Sequence, residues 1–373
     1  MLLNEPFITS MIIPTGIGAS VGGFAGDATP MMNLLASVSD MLITHPNVAN
    51  AAVFQNLPQN ALYVEGYGLD RFFKGEWALA PVRKNAIGIV YDAGIAEEML
   101  TLHRNVVNAL RTVYGIEIMG EAITDEPVRL ECGYTPSGSS TGTLHNPETI
   151  LKACRSLLEK GATAIALCVA IPTLDDAAYQ FEGAVDPVGG IEAILSHLVV
   201  SELNIPCAHA PVFSKEDAMP EFESVVDPRV AAECIAPTFL PCVLLGLSRA
   251  PQFATKKNED GFCVTDLSAL VVPNDALGGV PVLSALERKI PVIAVGENRT
   301  VMRVDVSALE KLLPEASLRC LYGVRSYVEA GGLLQMIKNA QAVPEAFQKM
   351  PASGIAPVAR RATRGNSVSL GAE

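Results

Sequence analysis

The sequence predicts an α/β protein made of two Rossmann-like domains, each with a mainly parallel sheet, and a ligand crevice between them. Three observations carry this reading. Strand-like runs alternate with helical patterns along most of the chain, which implies layered α/β architecture. Several of the runs are continuous stretches of Val, Ile, Leu and Ala, as in strands buried on both faces. The chain has 373 residues, 49% of them hydrophobic and 18% charged, which favours two cores and argues against extensive disorder.

The first strand is expected over Ser10–Ile13. It runs into a loop reaching Pro30 that holds five glycines together with Thr15, Ser20, Asp27 and Thr29. A helix follows over Met31–Ser39. Further strands are expected over Met41–Thr44, Ala61–Val64, Ala86–Tyr91, Ile116–Met119, Ala164–Val169, Cys242–Leu247, Ala269–Val272 and Pro291–Val295. Helices are expected over Ala96–Val113, Pro147–Lys160, Ile191–Leu203, Val280–Arg288 and Ser307–Leu313. The Pro147 helix has the clearest ends, because Asn146 suits an N-cap, proline suits the first helical position and Gly161 suits the stop. Residues 1–190 are assigned to an N-terminal domain, 191–340 to a C-terminal one and 341–373 to a disordered tail.

The net charge of −13 and pI of about 4.9 repel phosphate backbones and exclude nucleic acid as a partner. A small anion remains compatible, since a local group of N–H donors can override a distant net charge. The eight cysteines form no Cys-x-x-Cys pair, which reads as reduced thiols and a cytoplasmic location. The longest apolar stretch, Ile235–Leu247, holds two prolines and is too short to span a bilayer. A soluble protein with no membrane partner is expected, and assembly into a homo-oligomer stays open.

A glycine-rich turn between a strand and a helix lets backbone N–H groups approach a ligand closely. Thr15, Gly16, Gly18, Gly22 and Gly23 are therefore candidate ligand contacts, and Asp27 a candidate acid or base. His45, with Asn47 beside it, follows a strand, where parallel sheets face their ligands; it serves acid–base chemistry or caps the local turn. Ser139, Thr141 and Thr143 lie in a polar loop before the Asn146 cap, suited to a phosphate or carboxylate or to a plain connector. Glu192 and His197 are five apart and do not share a helix face well, so the spacing of a helical metal pair is absent. Cys207 and His209 project to the same side of an extended segment. They form a nucleophile with its base, part of a metal site, or a packed thiol beside a hydrogen-bonded imidazole. Asn274, Gly278, Gly279 and Arg299 lie in a layout that resembles the donor-binding half of two-domain sugar-nucleotide enzymes, with Arg299 as an anion clamp or, with Glu297, part of a solvated loop. Cys168 ends a buried strand in a way similar to aspartate/glutamate racemase-like enzymes, or is a structural thiol.

Several of these segments combine into a wider resemblance. Ile13–Pro30, Thr44-His45-Pro46-Asn47, Tyr63-Val64-Glu65-Gly66, Val185–Leu198, Pro206–Pro211, Phe239–Pro251 and Val271–Asn298 together resemble the domain-of-unknown-function family 3326 of cyanobacteria, plant plastids and other bacteria. The resemblance reaches to about residue 340. It implies one complete family unit and no established activity. An enzyme acting by acid–base chemistry on a small carboxylated or phosphorylated metabolite is the leading expectation, with isomerase, lyase and transferase not separated. A ligand sensor, a sugar-nucleotide-dependent transferase and an assembly protein are the alternatives. The sequence names no cofactor and leaves a metal undecided.

Overall fold

The structure is a computed structural model that describes residues 5–24, 26–50, 57–172, 185–219, 225, 228–233, 236–257 and 261–342. The tail expected from residue 341 lies outside the described residues from 343 onward. Their strands are β1 (Ile8–Met11), β2 (Met41–Thr44), β3 (Ala61–Tyr63), β4 (Ala78–Ala80), β5 (Ile87–Tyr91), β6 (Ile118–Ile123) and β7 (Leu130–Tyr134). They continue with β8 (Ser140–Leu144), β9 (Ala164–Ala170), β10 (Cys207–Val212), β11 (Gln252–Ala254), β12 (Leu267–Pro273), β13 (Val292–Val295) and β14 (Leu321–Val324).

The architecture is mixed α/β with largely parallel sheets. A six-stranded sheet runs β14-β13-β12-β1-β2-β3, and every pairing in it is parallel. It draws its strands from both ends of the chain. Its centre is the pairing of β1 with β12, with Thr9 opposite Ala269 and Met11 opposite Val271. A second, four-stranded parallel sheet, β10-β9-β5-β6, is formed by the chain between β3 and β12. Its β9 and β10 pair across residue 190. Two antiparallel ribbons, β4–β11 and β7–β8, complete the pattern.

Both sheets are covered on two faces, and side-chain alternation assigns each residue to a face. Ala269 and Val271 of β12 pack with Met32 and Leu35 of the helix Thr29–Val38 and with Leu334 of the helix Tyr327–Ala342. Leu270 and Val272 pack with Phe72 of the helix Gly66–Phe73 and Leu286 of the helix Val280–Glu287. In the second sheet, Ala166 and Cys168 of β9 join Val107 of the helix Glu97–Tyr114 and Val243 of the helix Leu240–Leu247. Leu167 and Val169 join Leu157 of the helix Pro147–Glu159 and Val199 of the helix Gly189–Leu203. Each of the two hydrophobic layers runs through both sheets. This double covering is why the strands read as unbroken apolar runs.

Two local expectations are corrected. Cys242–Leu247 is helical, within Leu240–Leu247. A short apolar run has no periodicity that separates a buried strand from a buried helix; here Pro241 in the first turn favours the helix. The polar stretch at 135–143 is not one loop: its second half is β8, paired with β7, and only residues 135–139 turn.

The helix Leu240–Leu247 meets the first sheet at Tyr63, the last residue of β3. The Tyr63 hydroxyl donates to Asn50 Oδ1 at 2.9 Å. A Cβ on Gly246 would lie 2.6 Å from the Tyr63 ring. Alanine is the better helix former by about 1 kcal/mol, whereas overpacking a fixed ring costs about 1–3 kcal/mol. Gly246→Ala should therefore lower the urea unfolding midpoint; a raised midpoint would mean that Tyr63 can yield.

Candidate functional site

The helix Gly189–Leu203 stands where the two sheets meet, and its first turn is packed against backbone. Gly190 N–H donates to Ser140 Oγ at 2.9 Å, and Ser140 N–H donates to the Gly16 carbonyl at 2.8 Å. Gly16 has φ +69°, and a Cβ there would fall 2.2 Å from Ser140 Oγ. The glycines let the loop after β1, the β7–β8 hairpin and the helix N-terminus converge.

Glu192 and His197 on this helix are about 140° apart around its axis, and each meets a different partner. Glu192 Oε1 lies 3.7 Å from His209 Nδ1 on β10. His209 is buried, and among the described residues neither ring nitrogen has a hydrogen-bond partner. His197 Nδ1 lies 2.5 Å from Glu65 Oε1. Burial pulls the His197 pKa down, but the Glu65 carboxylate outweighs it and the net shift is upward. Glu65 is 3% exposed. Its other oxygen accepts from Tyr67 N–H at 2.8 Å and Gly68 N–H at 3.4 Å, capping the helix Gly66–Phe73.

His45 lies at the end of β2 with its Nε2 accepting from Ile13 N–H at 3.0 Å. Burial, with a smaller push from His197, lowers its pKa to about 4. It is thus a neutral ring that fixes the exit of β1. Asn47 does the same from the neighbouring turn, donating to the Ile13 carbonyl at 2.8 Å.

The far half of the glycine-rich loop closes on itself. Asp27 Oδ1 accepts from Gly22 N–H at 2.6 Å, and burial raises the carboxyl pKa to about 6. Gly22 has φ +85° and lies against Ile13, and a Cβ on Gly23 would fall 2.3 Å from the Ala19 carbonyl oxygen. Gly18 has φ +58° and lies against Val185. Fully buried Asn298 accepts from Val21 N–H at 3.0 Å and donates to the Val21 carbonyl at 2.9 Å and the Tyr327 hydroxyl at 2.8 Å. Arg299 follows with an exposed side chain, its carbonyl accepting from Ser20 N–H.

Of the remaining candidates, Thr15 packs against Gly189. Ser139 Oγ pairs with Thr135 Oγ1 at 2.7 Å, and Thr141 and Thr143 lie on β8. Asn274, Gly278 and Gly279 follow β12, the two glycines exposed. Cys207 shares the His209 side of β10, but it is buried and its thiol is pushed well above the ordinary range by burial. Cys168 is likewise buried, with its thiol pushed up. The structure thus gathers Thr15, Gly16, Glu192 and His209 around one helix N-terminus, and holds Asp27, Asn298 and Arg299 along the other half of the loop. Among the described residues no group of three or more His, Cys, Asp or Glu is arranged to hold a metal ion.

Residue-level reading passed over Glu65 and Asp92. Asp92, 3% exposed, accepts from Gly94 N–H and Val128 N–H at 2.8 Å and from Ala170 N–H at 3.1 Å, closing the carboxyl end of the second sheet. An acidic residue directly after a strand was the available signal in both.

A mixed α/β protein with a histidine–carboxylate cluster where two parallel sheets meet is the class these features define. The chain belongs to the family of proteins of unknown function DUF3326, whose model matches residues 8–346. It is 40% identical over 346 residues to an uncharacterized lipoprotein of Synechococcus, covering 90% of this chain and 92% of that protein. No solved structure matches. The cytoplasmic location expected from the cysteines is corrected by this relative, whose name makes it a lipoprotein. The thiols carried little information on the point, because Cys154, Cys168 and Cys207 are buried in the core and are shielded from solvent in any compartment. No helix among the described residues is long and apolar enough to cross a membrane.

Two pH dependences of opposite sign follow. The folded-state pKa of His45, about 4, lies below its ordinary 6.5, so the stability it protects is present above pH 6.5 and is lost as pH falls towards 4, by about 3 kcal/mol at most. His45→Gln keeps an acceptor for Ile13, and its urea midpoint should fall less than that of the wild type between pH 7 and 5. Equal falls would refute the assignment. The Asp27 value of about 6 lies above its ordinary 3.8, so its contribution is present below pH 3.8 and lost as pH rises through 6. Asp27→Asn should be more stable than the wild type at pH 8, by about 2 kcal/mol, with the difference vanishing near pH 4. A less stable variant at pH 8 would show that the charged carboxylate is needed by the loop.

Proposed function

We propose that the chain is an enzyme that transfers a proton on a small carboxylated or phosphorylated metabolite, with His209 and Glu192 as its acid–base pair. The observation that carries the reading is the condition of His209: a buried ring, two nitrogens without a hydrogen-bond partner among the described residues, and a carboxylate 3.7 Å away. Buried polar groups are almost always hydrogen-bonded, and each one left open costs about 1–3 kcal/mol. A substrate atom is a natural occupant of such a position, and an adjacent carboxylate stabilises the imidazolium formed when the ring takes a proton. The nearby N-terminus of the helix Gly189–Leu203 favours an anionic substrate.

The strand order β3-β2-β1-β12-β13-β14 supports a Rossmann-like reading of the six-stranded sheet. It is the 3-2-1-4-5-6 order of doubly wound folds, with the reversal between β1 and β12. Ligands of such sheets bind at the carboxyl ends beside the reversal. On this reading the crevice lies beside the loop carrying Thr15, Gly16 and Gly18, and Asn274, Gly278, Gly279 and Arg299 flank it. His45 and Asn47 shape the loop from behind, and Cys207 supports the wall beside His209.

The test is exchange of solvent hydrogen. The full chain is incubated in D2O with a metabolite extract, and anionic metabolites are followed by mass spectrometry. The wild type should introduce deuterium into one carboxylated or phosphorylated compound, and His209→Gln and Glu192→Gln should slow this by about 100-fold or more. Absence of wild-type exchange, or full exchange in His209→Gln, would overturn the reading.

A further inference from the structure

A second feature lies at the opposite edge of the sheets. Leu57 and Gln59 precede β3, Arg83 and Lys84 precede β5, and Ile116 precedes β6, so all lie at the amino ends of strands. Together with Leu245, Ser248 and Arg249 from the end of the helix Leu240–Leu247, they line a pocket of about 410 Å³. That volume suits a small metabolite. Among the described residues its lining includes Arg83, Lys84 and Arg249 and no carboxylate, in a chain whose net charge is −13.

The pocket is built on a rigid support. Asn85 is 2% exposed. Its side chain donates to the Leu247 and Ala250 carbonyls, each at 2.8 Å, and its backbone N–H donates to the Ser248 carbonyl at 2.7 Å. Asn85 Oδ1 in turn accepts from Thr163 Oγ1 and Gln252 Nε2. One buried amide thus fixes the Arg83–Lys84 segment against the Ser248–Arg249 turn.

Of the three cations, only Lys84 meets a carboxylate among the described residues. The helix Glu97–Tyr114 ends at the pocket, but its last turn already carries Arg111. The Arg249 guanidinium donates to the Leu57 and Gln59 carbonyls at 2.8 and 3.5 Å. Lys84 meets Glu117 at 3.4 Å with both side chains about half exposed, an arrangement worth little. Arg83 is exposed and makes no hydrogen bond or ion pair among the described residues. Leu57, Ile116 and Leu245 add apolar surface to the lining.

We infer that this pocket is a binding site for a small molecule with an apolar body and a phosphate or carboxylate head, distinct from the site at His209. The head meets Arg83 and Lys84, and the body rests on Leu57, Ile116 and Leu245. Phenyl phosphate is the probe, titrated into the full chain by calorimetry beside inorganic phosphate. The wild type should saturate with phenyl phosphate at millimolar concentrations, at least about tenfold more tightly than with phosphate, a difference of about 1.4 kcal/mol. The double variant Arg83→Ala, Lys84→Ala should weaken phenyl phosphate by about tenfold or more with an unchanged melting temperature, since both side chains are exposed. His209→Gln should bind as the wild type does, which separates this site from the proposed catalytic one. No saturation by the wild type, equal affinity for phosphate, undiminished binding in the double variant, or loss in His209→Gln would each overturn the inference.

Discussion

Among the contacts that join the two sheets, one buried carboxylate ties a helix of each. Glu65 uses one oxygen to cap the helix that follows β3 and the other to hold His197 on the helix Gly189–Leu203. The first bond belongs to the six-stranded sheet and the second to the four-stranded one. Because the carboxylate is buried while His197 is partly exposed, losing the histidine would leave an uncompensated buried charge. The bridge lies on the same helix as Glu192, whose carboxylate approaches His209. Gly66 allows the bridge, since a Cβ there would lie 2.9 Å from the His197 ring.

Much of the secondary structure was legible because its signals are local. Met41–Thr44 is a strand over the residues expected, and the Pro147 helix begins and ends where Asn146, Pro147 and Gly161 place its limits. The helix Leu240–Leu247 was misread because an apolar run without charges carries no period. The pairing of β1 with β12 has no local signal at all, since it joins residues 8–11 to residues 267–271. The site divides in the same way. The shared side of Cys207 and His209, and the separation of Glu192 from His197, follow from strand and helix geometry. That the two members of the second pair reach for His209 and Glu65 is a property of the assembled fold.

The glycine-rich loop is built from two halves with different physical roles. From Thr15 to Gly18 the glycines permit close approach by other elements, the helix N-terminus and the hairpin among them. From Ser20 to Asp27 the loop is satisfied internally by Asp27 and from behind by Asn298. The Gly22 N–H is met by the protein's own carboxylate, so an incoming anion has less to gain there than beside Gly189. His45 adds a third constraint, because its acceptor nitrogen must stay unprotonated to hold Ile13. The loop is therefore sensitive to acid at one end and to base at the other.

The placement of the second sheet between β3 and β12 bears on how the chain is made. Strands β1 to β3 are largely buried on both faces, yet β12, the central partner of β1, is synthesised about 200 residues later. At ribosomal speeds of about 5–20 residues per second, the early strands wait roughly 10–40 seconds with sheet edge and apolar surface uncovered. The intervening sheet has all its strands in hand before β12 emerges, so it can fold first on the ribosome. The N-terminal strands are then the segment most in need of a chaperone during translation.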